Sequence, residues 1–139
     1  MTPGGWAEFQ EVDLRYYSED GSLTESNNVK KWNTSLMDAA RRIGRDPCPG
    51  PQLENWVKEA GFTNITRRKF KLPIGPWPKD PKLKEIGIYN LVQHLQGLEG
   101  FTLRLFCDVL GWRKEEVYVF LANVRKDLKS QALHVQYDL

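Results

Sequence analysis

Two proline clusters constrain this chain more than any other feature. Asp46-Pro47-Cys48-Pro49-Gly50-Pro51 and Pro73-Ile74-Gly75-Pro76-Trp77-Pro78 cannot lie inside a helix, because proline lacks an N–H and its ring crowds the preceding turn. They cut the 139 residues into three segments, and each segment must start and stop its own elements.

In the first segment, Trp6 to Leu14 mixes aromatic and branched residues with acids and predicts a strand. A polar loop follows from Tyr16 to Glu25. Ser26 is placed to cap a helix, whose face is Val29, Trp32, Asn33, Leu36, Met37, Ala40 and Ile43 at three- and four-residue steps. Gly44 is its expected left-handed stop. In the second segment, Pro51 suits the first position of a helix, with Leu53, Trp56, Val57 and Ala60 as its stripe. Ile65 to Leu72 then predicts a second strand.

The third segment opens with Asp80-Pro81, an N-cap followed by proline at the first helical position. Leu83, Ile86, Gly87, Asn90, Leu91, His94, Leu95 and Leu98 form the most regular stripe in the chain. Gly97 and Gly100 are expected to break that helix. Phe101 to Leu110 is apolar nearly all round and predicts a separate helix that is buried or lies under a partner. A last helix runs from about Arg113 to Lys129, and Ala132 to Leu139 alternates like a strand. The order gives one α/β domain, or an α+β-like one, over residues 1–139, with about three strands and five or so helices.

Composition removes several functions. Twenty basic and 18 acidic side chains leave a net charge of +2, which gives no reason to expect nucleic acid. The densest basic run, Arg67-Arg68-Lys69-Phe70-Lys71, is short and reads as the solvated face of a strand. Two cysteines make no disulfide framework. No stretch approaches the roughly 20 apolar residues that cross a bilayer, and the first residues lack a signal-peptide pattern. A cytoplasmic location is the expectation, with no membrane contact. No metal-ligand spacing, phosphate loop or nucleophile elbow is present.

Some residues remain that suit chemistry. Asn90 and His94 stand one turn apart on an otherwise apolar stripe, and buried polar groups need partners. His94 reads either as a core histidine bonded to a carbonyl or as a proton-transfer group. Glu99, beside Gly97 and Gly100, reads either as a helix-end charge or as an acid at a pocket mouth. Tyr16, Tyr17, Trp32, Trp77, Tyr89, Phe101, Phe106 and Trp112 suit the wall of a dry cavity, although each taken singly suits an ordinary core. His134, on the last strand, is the other side chain that titrates near neutrality. Cys107 reads as a buried, inert thiol.

Longer motifs carry a resemblance. They are Pro3-Gly4-Gly5-Trp6-Ala7-Glu8-Phe9-Gln10, Asp20-Gly21-Ser22-Leu23-Thr24, Trp32-Asn33, Ala39-Ala40-Arg41 and Gly44-Arg45-Asp46-Pro47 with Pro49-Gly50-Pro51. Further along come Ala60-Gly61-Phe62, the long run Lys71-Leu72-Pro73-Ile74-Gly75-Pro76-Trp77-Pro78-Lys79-Asp80, Leu83-Lys84-Glu85-Ile86-Gly87, Gly97-Leu98-Glu99-Gly100-Phe101 and Val124-Arg125-Lys126-Asp127-Leu128. On these the whole chain resembles the C-terminal half of class I methyltransferases of fungal secondary metabolism, including relatives of a global regulator of that metabolism.

The resemblance implies a fold and an absence. The Pro-Gly-Gly turn leads into the fifth strand of a seven-stranded sheet in that family, and the donor-binding loop and ribose-binding acid lie upstream of it. No position here inherits those contacts, so no cofactor is expected. The chain is expected to be a single methyltransferase-like domain lacking the half that binds S-adenosylmethionine. Strand five pairs with strand four in the full fold, so the first strand here is expected to have an open edge. Such an edge recruits another strand, which implies a homodimer or hetero-complex around Trp6 to Val12; the other reading is that Glu8, Glu11 and Asp13 blunt the edge and leave a monomer.

Two functions follow. The first is a donor-independent cyclisation or isomerisation of an apolar natural-product intermediate, with His94, Asn90 and Glu99 as its acid–base set and the aromatic residues and His134 as its walls. The second is a non-catalytic accessory subunit, or a fragment of a methyltransferase.

Overall fold

A computed structural model describes residues 4–139. Pro3, part of the expected first turn, lies outside the described residues; Gly4 takes the left-handed φ of 84° that such a turn needs. The elements are β1 (Asp13–Tyr17), α1 (Asn28–Arg42), α2 (Gly50–Glu59), β2 (Lys71–Ile74), α3 (Pro81–Arg104), a π-helical turn (Leu105–Val109), α4 (Lys114–Leu128) and β3 (Val135–Asp138). The result is a mixed α/β fold, with helices packed on a small sheet, as expected for part of a methyltransferase-like domain.

The sheet order is β1-β3-β2, with β3 antiparallel to both neighbours. β1 and β2 therefore run parallel, and their carboxyl ends share one edge of the sheet with the start of β3. Leu72 pairs with Tyr137 and Ile74 with Val135. Pro73 sits in β2 although it cannot donate, because β2 is an edge strand.

Three predicted boundaries move. The first strand spans Asp13–Tyr17 rather than Trp6 to Leu14, so that Tyr16 and Tyr17 belong to the strand and not to the loop, and Trp6 to Val12 has no regular structure. Asp13 already lies opposite Asp138, and the next residue, Leu139, exchanges both backbone bonds with Phe70 at 2.8 and 2.9 Å. The preceding segment thus has no strand beside it. Residues 65–69 stay irregular for the same reason, and β2 starts at Lys71. The third change is in α3, which continues through Gly97 and Gly100 and joins the two predicted helices into one. Glycine costs about 1 kcal/mol in a helix, whereas the extra turns place Leu98, Thr102 and, in the π turn, Phe106 fully inside the core.

Helix starts follow local chemistry. Asn27, rather than Ser26, caps α1, its Oδ1 accepting the Val29 N–H at 2.8 Å. Asp80 caps α3 by accepting the Leu83 N–H at 2.9 Å. The core is built from Val29 and Trp32 of α1, Leu98 of α3, Phe106 of the π turn, and Val117, Leu121 and Val124 of α4, each essentially without solvent exposure. The widened π turn sets Phe106 against Trp112 at 5.2 Å between ring centroids.

α3 crosses the sheet where two glycines meet. The Gly75 N–H donates to the Gly87 carbonyl at 2.8 Å, and a Cβ on Gly87 would stand 2.1 Å from the Gly75 oxygen. No helix among the described residues is long and apolar enough to cross a membrane.

Candidate functional site

The β1 edge is less open than its sequence suggests. Asn33 of α1 is buried, and its carboxamide accepts the Tyr16 N–H at 3.1 Å and donates to the Leu14 carbonyl at 2.7 Å. The Leu14 N–H reaches the Pro47 carbonyl at 3.4 Å. A side chain thus imitates a neighbouring strand along the middle of β1. The uncapped stretch lies before it, from Trp6 to Glu11.

That stretch forms one wall of an open groove of about 840 Å³. Phe62, Ile65 and Phe70, with Leu53 and Val57 of α2, add apolar lining, and the bases Arg15, Arg67, Arg68 and Lys69 are matched by the acids Glu8, Glu11, Asp13, Glu54 and Asp138. Phe9 meets Phe62 edge to face at 6.0 Å. Trp6 is 90% exposed, an unusual state for the largest apolar side chain. At the sheet end of the groove the Arg15 guanidinium holds the Asp13 carboxyl down at about 2. None of the sequence-predicted site residues lines this groove. The missed signal was the two exposed aromatics, Trp6 and Phe9, close together in one segment.

His94 lies in the core, 8% exposed. Its Nδ1 is 2.6 Å from the Asn90 carbonyl, and a carbonyl only accepts, so Nδ1 carries the proton. Nε2 then accepts from the Tyr16 hydroxyl at 2.5 Å. Tyr16, Tyr137 and His94 form one ring cluster with centroids 5.7–6.0 Å apart. Burial pushes the imidazole pKa down, favouring the neutral ring. It pushes the Tyr16 and Tyr137 hydroxyls up. Both imidazole nitrogens are therefore committed to the fold. The Asn90 carboxamide donates to the Pro73 carbonyl at 2.9 Å and pins α3 to β2. Glu99 faces α4 instead, paired with Arg125 at 2.6 Å. Of the three residues read as an acid–base set, Asn90 and His94 are thus bonded to each other, and Glu99 is paired elsewhere.

The aromatic residues divide as well. Tyr16, Trp32 and Phe106 are core, with the Trp32 indole donating to Thr102 Oγ1 at 2.8 Å. Tyr17 donates to Asp138 at 2.8 Å, and its hydroxyl is raised to about 12 by desolvation and by that carboxylate. Trp112 packs on Phe106 and Phe120. Tyr89 and Phe101 are exposed on α3.

A third cluster sits at the carboxyl edge of β1 and β2. Asp20 follows β1, Trp77 follows β2, and His134 precedes β3. His134 Nδ1 lies 2.5 Å from Asp20 Oδ2, and the Trp77 ring stacks on the imidazole at 5.1 Å and 24°. Asp20 Oδ1 accepts the Ser22 N–H at 3.0 Å, and Ser22 Oγ accepts the His134 N–H at 2.9 Å. The Ser22 bonds, with His134 adding to them, hold the Asp20 carboxyl down at about 2.

Among the described residues no group of three or more His, Cys, Asp or Glu side chains is placed to hold a metal ion. Nor do they fit the methyl donor implied by the resemblance. The loop joining β1 to α1 holds a single glycine, Gly21, and its Asp20 and Ser22 are bonded to His134.

Comparison with known proteins agrees with the motifs. The chain is 44% identical over 138 residues to methyltransferase pytC of Aspergillus terreus, covering 99% of this chain and 43% of that protein. It is 37% identical over 134 residues to the probable methyltransferase tdiE of Emericella nidulans, covering 96% and 42%. To the secondary metabolism regulator LAE1 of Cochliobolus heterostrophus it is 29% identical over 136 residues, covering 96% and 44%. The chain spans less than half the length of these curated relatives. No family model and no solved structure matches it. Across the length it does match, the chain is a homologue of fungal methyltransferases and secondary-metabolism regulators.

Proposed function

We propose that this chain is the acceptor-side part of a methyltransferase-like protein of fungal secondary metabolism. It works together with a donor-binding portion that packs in the groove beside Trp6 to Glu11. The observation that carries the reading is the groove itself. A backbone run with no regular structure and no strand partner carries a 90%-exposed tryptophan, while more than half of each relative falls outside the match. Unpaired backbone beside apolar side chains is what an added strand covers: main-chain bonds supply affinity and alternate side chains supply fit. Donor-independent cyclisation loses its support at His94, where neither nitrogen is free to move a proton.

The test is association. The portion of pytC outside the match is expressed separately and mixed with the purified chain. The expected result is a one-to-one complex by analytical ultracentrifugation, a blue shift of Trp6 fluorescence, and at least ten-fold weaker binding for Trp6→Ala. No complex, together with tight binding of S-adenosylmethionine by the chain alone, overturns the reading. A homodimer that buries Trp6 also overturns it, because the groove would then be filled by a second copy.

A further inference from the structure

We infer that the groove is a slot for one strand, which enters in line with β3 and pairs with the backbone on both sides of it. The inference rests on the reading above, that a further portion packs in this groove. It adds the element that does so: a strand of alternating side chains, apolar toward α2 and polar away from it.

The register of the sheet places the slot. β3 lies between β1 and β2. Asp138 stands level with Asp13 on one side and with Lys71 on the other. One residue on, Leu139 exchanges both backbone bonds with Phe70. The residues before Asp13 and before Phe70 therefore flank the line of β3 past Leu139, and residues 5–11, residues 62–70 and Leu139 all border the same groove. With β3 between them, β1 and β2 stand about twice the 4.8 Å strand spacing apart, which is room for one strand. No backbone bond ties residues 5–11 or 63–69 to other described residues. The outer side of β1 is already served by the Asn33 carboxamide, so the open places face the groove.

α2 supplies the second observation. Its stripe of Leu53, Trp56 and Val57 is apolar, yet none of its residues is buried. Leu53 and Val57 border the groove. A short amphipathic helix is stabilised by the surface under its apolar face, and the slot is where that surface would lie. Val135 and Tyr137 belong to the core beneath the helices, and Leu139 is next in their alternation. In a strand that prolongs β3, the second, fourth and sixth residues past Leu139 thus lie on the helix side and are apolar. Bases and acids both line the groove, so the strand that fits it is close to neutral.

Amide hydrogen exchange, resolved by residue with NMR, tests the slot. In antiparallel pairing, residues two apart turn their N–H to the same side. Phe70 faces Leu139, so Arg68 and Thr66 face the slot, and Lys69 and Arg67 face the outer edge. Leu14 turns its carbonyl outward to Asn33, so Asp13, Glu11 and Phe9 face the slot from the other wall. Adding the portion of pytC outside the match is expected to slow exchange about ten-fold or more at Phe9, Glu11, Thr66 and Arg68, with Arg67 and Lys69 within about two-fold. A complex that slows Arg67 and Lys69 instead, slows all six equally or slows none overturns the slot and leaves the reading above in place.

If no complex forms, the reading above fails, and a second form of the chain decides the slot. It carries the extension Thr-Val-Thr-Val-Thr-Val joined directly to Leu139, and is expected to show the same alternation of slow and fast amides. Replacing each added valine by proline, which cannot donate to a ladder, is expected to leave all six amides at the wild-type rate. An extension that gives no alternation, or equal protection from the proline form, overturns the inference. So does a homodimer that buries Trp6 in the unextended chain, because a second copy then fills the slot.

Discussion

The Tyr16 hydroxyl lies 2.5 Å from Nε2 of His94 and fixes the ring in one neutral tautomer. Protonation would turn that acceptor into a donor pointed at a hydroxyl that is already donating. Burial lowers the folded-state pKa below its ordinary 6.5. Below pH 6.5 the unfolded chain therefore binds more protons than the folded one, and stability falls as pH is lowered from there toward the folded-state value. It is fully present above pH 6.5. The slope from this group is at most about 1.4 kcal/mol per pH unit. Urea unfolding between pH 7.5 and 5 is expected to show it, and His94→Gln is expected to flatten it.

Asn33 serves β1 as a neighbouring strand would. Asn33→Ala removes two bonds to buried backbone groups and is expected to destabilise the chain by about 2–4 kcal/mol. Asn33→Asp keeps the acceptor for Tyr16 but offers no donor to Leu14, and it places a charge in the core. It is expected to cost at least as much. Thermal unfolding of both variants checks the order, and a wild-type Tm for either contradicts the account of the edge.

Two glycines of α3 predict opposite outcomes. Gly87→Ala drives a Cβ to 2.1 Å from the Gly75 oxygen and is expected to cost about 3 kcal/mol, because the helix must lift from the loop. Gly100→Ala meets nothing within 4 Å and is expected to gain about 0.5–1 kcal/mol from helix propensity alone. Chemical denaturation of the pair separates crossing geometry from propensity.

Thr102 accepts the Trp32 indole proton at 2.8 Å while donating to the Leu98 carbonyl. Thr102→Val leaves a buried N–H without a partner. The expected cost is about 2 kcal/mol, with an upfield shift of the Trp32 indole proton in NMR spectra. Thr102→Ser retains the hydroxyl and is expected to leave that resonance in place.

The sequence by itself determined what acts within a turn or two. The first proline cluster separated α1 from α2 and the second separated β2 from α3, Asp80-Pro81 started α3, Gly44 and Gly61 took left-handed φ values of 74° and 89°, and the apolar stripes marked the faces that pack. These signals are local because capping, proline sterics and helical periodicity couple residues no more than four apart. The motifs likewise carried the family, since identity with relatives is a property of the string.

Tertiary structure alone decided the rest. Whether Trp6 to Val12 is a strand depends on a partner beside it. Whether Gly97 breaks α3 depends on the core that Leu98, Thr102 and Phe106 enter. The two histidines differ for the same reason. His94 meets Tyr16 across 78 residues and His134 meets Asp20 across 114, so chain-distant neighbours silence one ring and orient the other. Burial and pairing energies depend on which groups come together in space, and no local pattern encodes that distance.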